Sequence, residues 1–296
     1  MYTPTLEQAE ELASQGNLVP VYREINADLE TPVSAYLKVA RPPNSFLLES
    51  VEGGERIARY SFIGTEPYDV VKTGPGHGKG AVDPLAAVQE ALARLKVVAV
   101  PGLERFSGGA VGYISYDAAG YFERLPSPAS DPLGLPESVF MLATTFLIFD
   151  HLRHKIRVVS YAHLDGDVER AYLEATTRID EIVDRLDSPL PSRHRPASRL
   201  GNGDVSSNMS PERFKEMVRE VQERVIAGEV IQTVVSQRLS LPTSAHPFEV
   251  YRALRAINPS PYMFFLELDD FHVVGASPEM LVRCVDGDLD YHPIAG

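Results

Sequence analysis

The sequence predicts an α+β fold of antiparallel sheets packed together with helices outside, and three observations carry that prediction. Strand-type runs occur in adjacent pairs joined by short turns, which is the pattern of hairpins. Helical repeats fall in separate stretches rather than alternating one for one with strands, which argues against a doubly wound parallel sheet. Hydrophobic residues make up 44% of the 296, enough for a sizeable core.

Along the chain, "TLEQAEELASQG" places Thr5 and Gln8 at capping-box spacing, with Leu6, Ala9, Leu12 and Ala13 as the apolar stripe and Gly16 as a stop. Thr31 and Pro32 open a short helix through Val33, Leu37 and Val39. "FLLESVEGGERIARYSFIG" reads as two strands joined around Gly53 and Gly54. Asp83 and Pro84 open the helix "DPLAAVQEALARL". "GGAVGYISYD" is a Gly-rich strand, which predicts close approach of another backbone. "MLATTFLIFDHLRHKIRVVSYA" reads as one hairpin turning at His151 to His154. Val168, Tyr172, Ile179, Ile182, Val183 and Leu186 keep helical spacing in a long amphipathic helix.

Residues 187–209, rich in Pro, Ser, Arg and Gly, predict a mobile linker. It either separates residues 1–186 from 210–296 as two domains or is a surface loop of one intertwined fold. After it, Ser210 and Pro211 start a helix with Phe214, Met217, Val218, Val221 and Val225 on one face, ending near Gly228. A strand "VIQTVVSQRLSL" and a short helix "PFEVYRALRAI" follow. "NPSPYMFFLELDDFHVVGASPEM" is a turn and a hairpin, and a last hairpin turns at Asp286–Gly287.

Composition excludes some functions. Against 28 basic residues stand 41 acidic ones, for a net charge of −13, so nucleic acid and anionic membrane are poor partners. Cys284 is the only cysteine; no intramolecular disulfide can form, and a reducing compartment is expected. The polar, acidic start of the chain is unlike a signal or transit peptide, and no stretch has the apolar length of a membrane span. A cytoplasmic protein is the expectation.

Several motifs reduce to bland readings. "TGPGHGKG" (73–80) has neither the spacing nor the hydroxyl residue of a phosphate loop and reads as a flexible loop. His151 and His154 lack a third ligand and read as a solvated turn. Cys284, mid-strand, reads as a buried thiol, and "NMS" at Asn208 carries no weight without a secretory signal. Three stretches are open. In "IQTVVSQRL", Gln232, Val234, Ser236 and Arg238 share a face, which is either an exposed edge or the wall of a pocket for a polar anionic ligand. Glu279, after the turn in "GASPEM", is either a surface acid or a proton donor at a pocket mouth. "YHPIAG" runs to Gly296 in mid-strand, which suggests that the sequence is cut short there.

Taken together, "LLES" (47–50), "RYSFIG" (59–64), "GGAVGYISYD" (108–117), "IQTVVSQR" (231–238), "NPSPYMFFL" (258–266), "GASPEMLVR" (275–283) and "PIAG" (293–296) resemble the chorismate-utilising enzymes, and within them the anthranilate synthase large subunit, component I. They occur in the family's order from about residue 40 onward. Gln232 stands where the water-using isochorismate and salicylate synthases carry a lysine, which implies the ammonia-using branch. Ala295 stands where aminodeoxychorismate synthase, the alternative within the family, typically has a lysine nucleophile, and an alanine cannot attack chorismate.

The resemblance implies conversion of chorismate and glutamine-derived ammonia to anthranilate and pyruvate, the first committed step of tryptophan biosynthesis. It implies a glutamine amidotransferase subunit (component II) as partner and Mg²⁺ as cofactor, with metal ligands beyond residue 296 and none within the chain. Glu279 matches the family's acid near the departing hydroxyl, Gln232 a polar pocket wall, and Gly296 a chorismate-contacting backbone position. It further implies feedback inhibition by L-tryptophan, bound by Glu49, Ser50, Pro261, Tyr262 and Met263. The prolines, tyrosine and methionine of "NPSPYM" suit an indole ring, although Pro261 and Met263 also fit plain core packing. A chain of this extent is expected not to make anthranilate alone. A non-catalytic tryptophan- or partner-binding fragment is the alternative of a different class.

Overall fold

A computed structural model describes residues 1–51, 59–103, 108–126, 130–191 and 204–292. The turn predicted at Gly53–Gly54, most of the predicted linker, and Ala295 and Gly296 lie outside the described residues.

The centre is a seven-stranded antiparallel sheet in the order β1-β8-β7-β3-β2-β11-β12. Its strands are β1 (Leu18–Asn26), β2 (Asn44–Glu49), β3 (Tyr60–Thr65), β7 (Thr145–Asp150), β8 (Lys155–His163), β11 (Tyr262–Leu268) and β12 (Phe271–Ser277). A second antiparallel sheet has the order β4-β6-β5, from β4 (Asp69–Thr73), β5 (Gly109–Ile114) and β6 (Ser138–Ala143). Short ladders pair β9 (Ser206–Ser207) with β10 (Leu239–Ser240), and β13 (Val282–Val285) with β14 (Asp288–Tyr291). The hairpin predicted for 141–162 is thus only half of what forms. The run "MLATTFLIFD" breaks at Thr144, so β6 joins the small sheet while β7 turns back into β8.

Helices cover one face of the large sheet: α1 (Leu6–Leu12), α2 (Pro32–Val39), α4 (Val168–Asp187) and α6 (Pro247–Ile257). Their starts are those the sequence predicts. Thr5 and Gln8 form a complete capping box, as do Thr31 and Ser34, and Asp83 caps α3 (Pro84–Ala93) by accepting from the Leu85 N–H at 2.9 Å. Strand alternation then divides the core. Leu47, Ile63, Leu147, Val158 and Phe265 face the helices, whereas Phe46, Phe146, Ile148, Val159 and Leu266 face the small sheet. The result is three layers: helices, seven strands, three strands.

Strands β11 and β12 follow residues 187–209 in sequence, yet β11 pairs with β2 from the first half of the chain along six residues, Asn44 to Glu49. The large sheet is therefore built from both sides of that segment. Helix α5 (Pro211–Ile226) keeps the predicted stripe, but none of its residues is buried.

The predicted strand from Val230 to Leu241 is reduced to Leu239–Ser240. No described strand lies alongside residues 231–238, and an extended segment needs a neighbour's N–H and C=O groups to become a strand. Ile231 is accordingly 99% exposed. Cys284, expected to be buried, is exposed, because both faces of the β13–β14 ladder are open.

Candidate functional site

The register of the large sheet sets Met263, Glu49 and Ser61 side by side across β11, β2 and β3. Directly opposed residues share a face, and here it is the helix-covered one. Beyond the paired stretch, the Val51 N–H donates to the Ser260 carbonyl at 3.2 Å. The segments "LLES" and "NPSPYM", more than two hundred residues apart in sequence, therefore meet at one end of the sheet.

Helix α6 crosses this end. Phe248 and Tyr251 are on its buried side, with Phe248 stacked on Tyr36 at 4.7 Å and edge-on to Phe265 at 5.1 Å. Arg255 lies four residues after Tyr251, so the two point the same way. Both reach Glu49. The Tyr251 hydroxyl donates to Oε2 at 2.5 Å, and Arg255 donates from Nε to Oε2 at 3.0 Å and from Nη2 to Oε1 at 3.2 Å. This bidentate geometry is the strong form of an ion pair. Burial, with the Glu49 charge beside it, pushes the Tyr251 hydroxyl far above its ordinary range, so it remains a donor.

Ser61, buried beside Glu49, shares a hydrogen bond of 2.8 Å with His151 Nε2. His151 is half-buried rather than in the solvated turn expected from sequence. Burial lowers its pKa, while the charges of Glu49 and Asp150 oppose the shift. Next to it, burial would raise Asp150, but hydrogen bonds from Arg59 and the Arg153 and Leu152 N–H groups outweigh this and hold it low.

These directions give a pH prediction. His151, His163 and His272 are all held below the ordinary histidine value of 6.5, chiefly by burial. Below that value the unfolded chain takes up protons that the folded chain resists. The stability is fully present above 6.5 and is lost as pH falls through the folded pKa values. Asp150 adds a second loss below 3.8, its unfolded value. The urea midpoint is expected to fall between about pH 7 and about pH 5, and to fall less in His151→Gln. A midpoint flat across that window would contradict the burial assignment.

Of the residues predicted for tryptophan, Glu49, Ser50, Pro261, Tyr262 and Met263 all lie at this β2–β11 junction. Met263 is 1% exposed and part of the core, Ser50 and Pro261 are half-buried, and Tyr262 is exposed on the opposite face of β11. Tyr251, Arg255, Ser61 and His151 were not singled out for this place by sequence. The only available signal was the four-residue spacing of Tyr251 and Arg255 on α6. The predicted catalytic residues are elsewhere. Gln232 is exposed in the irregular segment before β10. Glu279 is exposed in the bend after β12, with its Oε1 3.7 Å from His292 Nδ1. Among the described residues no group of three or more His, Cys, Asp or Glu could hold a metal ion, and no helix is long and apolar enough to cross a membrane.

The antiparallel sheet takes five strands from the first half of the chain and adds β11 and β12 from the second half at one edge, with motif segments on both sides of the β2–β11 junction. Residues 43–296 match the chorismate binding enzyme family, and the chain belongs to it. More particularly, it is 40% identical over 314 residues to anthranilate synthase component 1 of Acetivibrio thermocellus, a match covering 100% of this chain and 63% of that protein. It is 41% identical over 300 residues to a probable anthranilate synthase component 1 of Schizosaccharomyces pombe, covering 99% and 60%. The crystal structure of anthranilate synthase component I from Streptococcus pneumoniae superposes with a TM-score of 0.68 at 28% identity, covering 90% of this chain and 59% of that one. The chain thus spans 59–63% of the length of these three relatives.

Proposed function

We propose that this protein acts as anthranilate synthase component I, forming anthranilate and pyruvate from chorismate and ammonia. The observation that carries the proposal is the 40% identity to proteins of that name over the whole of this chain. In this reading a glutamine amidotransferase subunit supplies the ammonia, Glu279 is the acid near the departing hydroxyl, Gln232 lines the substrate pocket, and Gly296 contacts chorismate. Mg²⁺ belongs to the proposed reaction because chorismate is a dicarboxylate whose charge needs neutralising; no described residue is assigned to hold it. Because the chain spans about 60% of its relatives, residues 1–296 by themselves are expected not to complete the reaction. The test is anthranilate fluorescence after adding chorismate, Mg²⁺ and ammonium. A protein extended to its relatives' length that produces none would sink the assignment, and product from residues 1–296 alone would sink the expectation of inactivity.

L-Tryptophan is proposed to bind at the β2–β11 junction. Support comes from the pairing of Met263 with Glu49 and the hydrogen bond from the Val51 N–H to the Ser260 carbonyl, which bring Ser50 and Pro261 to the same junction, whereas Tyr262 is on the opposite face of β11. Ammonium and indole need an acid and apolar surfaces, and the junction offers both. A ligand there would bias two arrangements of the strands that join the halves of the chain. Ser50→Phe fills the half-buried position next to Glu49. It is expected to relieve inhibition by tryptophan in the complete enzyme and leave the uninhibited rate near wild type. An unchanged inhibition curve would place the effector elsewhere.

A further inference from the structure

We propose that Arg255 is a latch on Glu49, and that an incoming ligand ammonium must displace it, so that Arg255 sets the affinity of the β2–β11 junction for amine-bearing ligands. The identity of the ligand rests on the tryptophan reading above. The latch rests on geometry.

Glu49 is not a waiting carboxylate. Both of its oxygens already accept hydrogen bonds, two of them from Arg255 and one from Tyr251. A ligand ammonium, with three donors on one nitrogen, competes for the same lone pairs. The exposure of the two charged partners then decides which one moves. The Glu49 side chain is 2% exposed and sits at the end of β2, which is paired on both sides, whereas the Arg255 side chain is 36% exposed. Arg255 can swing into water on its flexible stem, and its guanidinium is hydrated there. Glu49 has no such exit. Tyr251, fully buried and stacked against Phe248, keeps its bond throughout.

The exchange conserves charge. One cation leaves the buried carboxylate as another arrives, so Glu49 is never left alone at the cost of an unpaired buried charge. For the same reason Arg255 stays in place until an amine comes. The latch also joins the two segments of the site. Arg255 is in the last turn of α6, and Asn258 caps the helix just before Ser260 and Pro261, which form the other wall. Release of Arg255 frees that last turn next to the segment that would touch the ligand.

The experiment is calorimetric titration of wild type, Arg255→Gln and Arg255→Lys, all as the full chain, with L-tryptophan, tryptamine and indole-3-propionate. The first two carry an ammonium and the third does not. With no guanidinium to displace, Arg255→Gln is expected to bind tryptophan and tryptamine about tenfold more tightly, with indole-3-propionate unchanged. Arg255→Lys keeps the charge but only part of the fork, so its expected gain is about threefold; this arm decides the question if Arg255→Gln does not fold. A purely structural role for Arg255 would instead weaken all three ligands together. That result, or unchanged affinities in a folded variant, overturns the latch. If wild type binds tryptophan and neither variant gains, only the latch fails. If no protein binds any of the three, the tryptophan reading falls with it.

Discussion

Glu49→Ala is expected to cost about 3 kcal/mol of folding stability and to abolish the tryptophan binding proposed above. The side chain accepts three hydrogen bonds from α6 at a place water hardly reaches. Its removal leaves the Tyr251 hydroxyl, on a fully buried residue, facing a space without its acceptor. An orphaned buried donor costs roughly 1–3 kcal/mol, and charge-assisted bonds are at the upper end. Arg255 contributes less, because it is partly in water already and can rehydrate. Most of the loss is therefore assigned to Tyr251, and Tyr251→Phe in the Glu49→Ala background should recover much of it. Urea unfolding of the two single variants and the double variant forms the cycle that measures this coupling. If the effects simply add, Tyr251 and Glu49 do not depend on each other and the account of this cluster is wrong.

Gly112→Ala is expected to cost about 3 kcal/mol or more, although it adds one methyl group. A Cβ at Gly112 would stand 1.8 Å from the Val139 carbonyl oxygen and 2.7 Å from its carbon. These are backbone atoms of β6, the middle strand of the small sheet, so no rotamer change can make room. Strand β5 has to move away, which opens the core under Val111, Val139 and Met141. Gly64 is a useful contrast, because the atoms its Cβ would strike belong to the Phe46 ring, a side chain. Gly120 meets nothing within 4 Å; Gly120→Ala is the matched control and should stay within about 0.5 kcal/mol of wild type. A Gly112→Ala protein as stable as that control would refute the close approach of the two backbones.

Much of the local structure was legible without coordinates. The capping box at Thr5, the helix starts at Thr31–Pro32 and Asp83–Pro84, the stripe of α4 and the hairpin turns near His154, Asp269 and Asp286 follow from side-chain chemistry within a few residues. The motifs that define the family were legible for the same reason, since each is a short run of residue types. The need for glycine near 108–117 was also legible, though not which backbone it had to meet.

Partnership across the chain was not. The strand-type run at 141–150 is continuous in sequence, and only the competition of two sheets for its backbone groups breaks it at Thr144. Residues 231–238 read as a strand and remain irregular, because a side-chain pattern does not supply a neighbouring strand, and no described strand runs alongside them. The exposed Cys284 has the same cause: a two-stranded ladder leaves its faces open whatever the residue type. In the candidate site, the family resemblance of two short motifs pointed to Glu49, Ser50, Pro261, Tyr262 and Met263, while the residues alone also fitted core packing. Tertiary structure decided that Tyr251 and Arg255 already occupy the Glu49 carboxylate. Helix caps and turns are closed by neighbours in sequence, so their chemistry can be read along the chain. An ion pair between residues 49 and 255 exists only because β11 pairs with β2 and brings α6 across the end of the sheet.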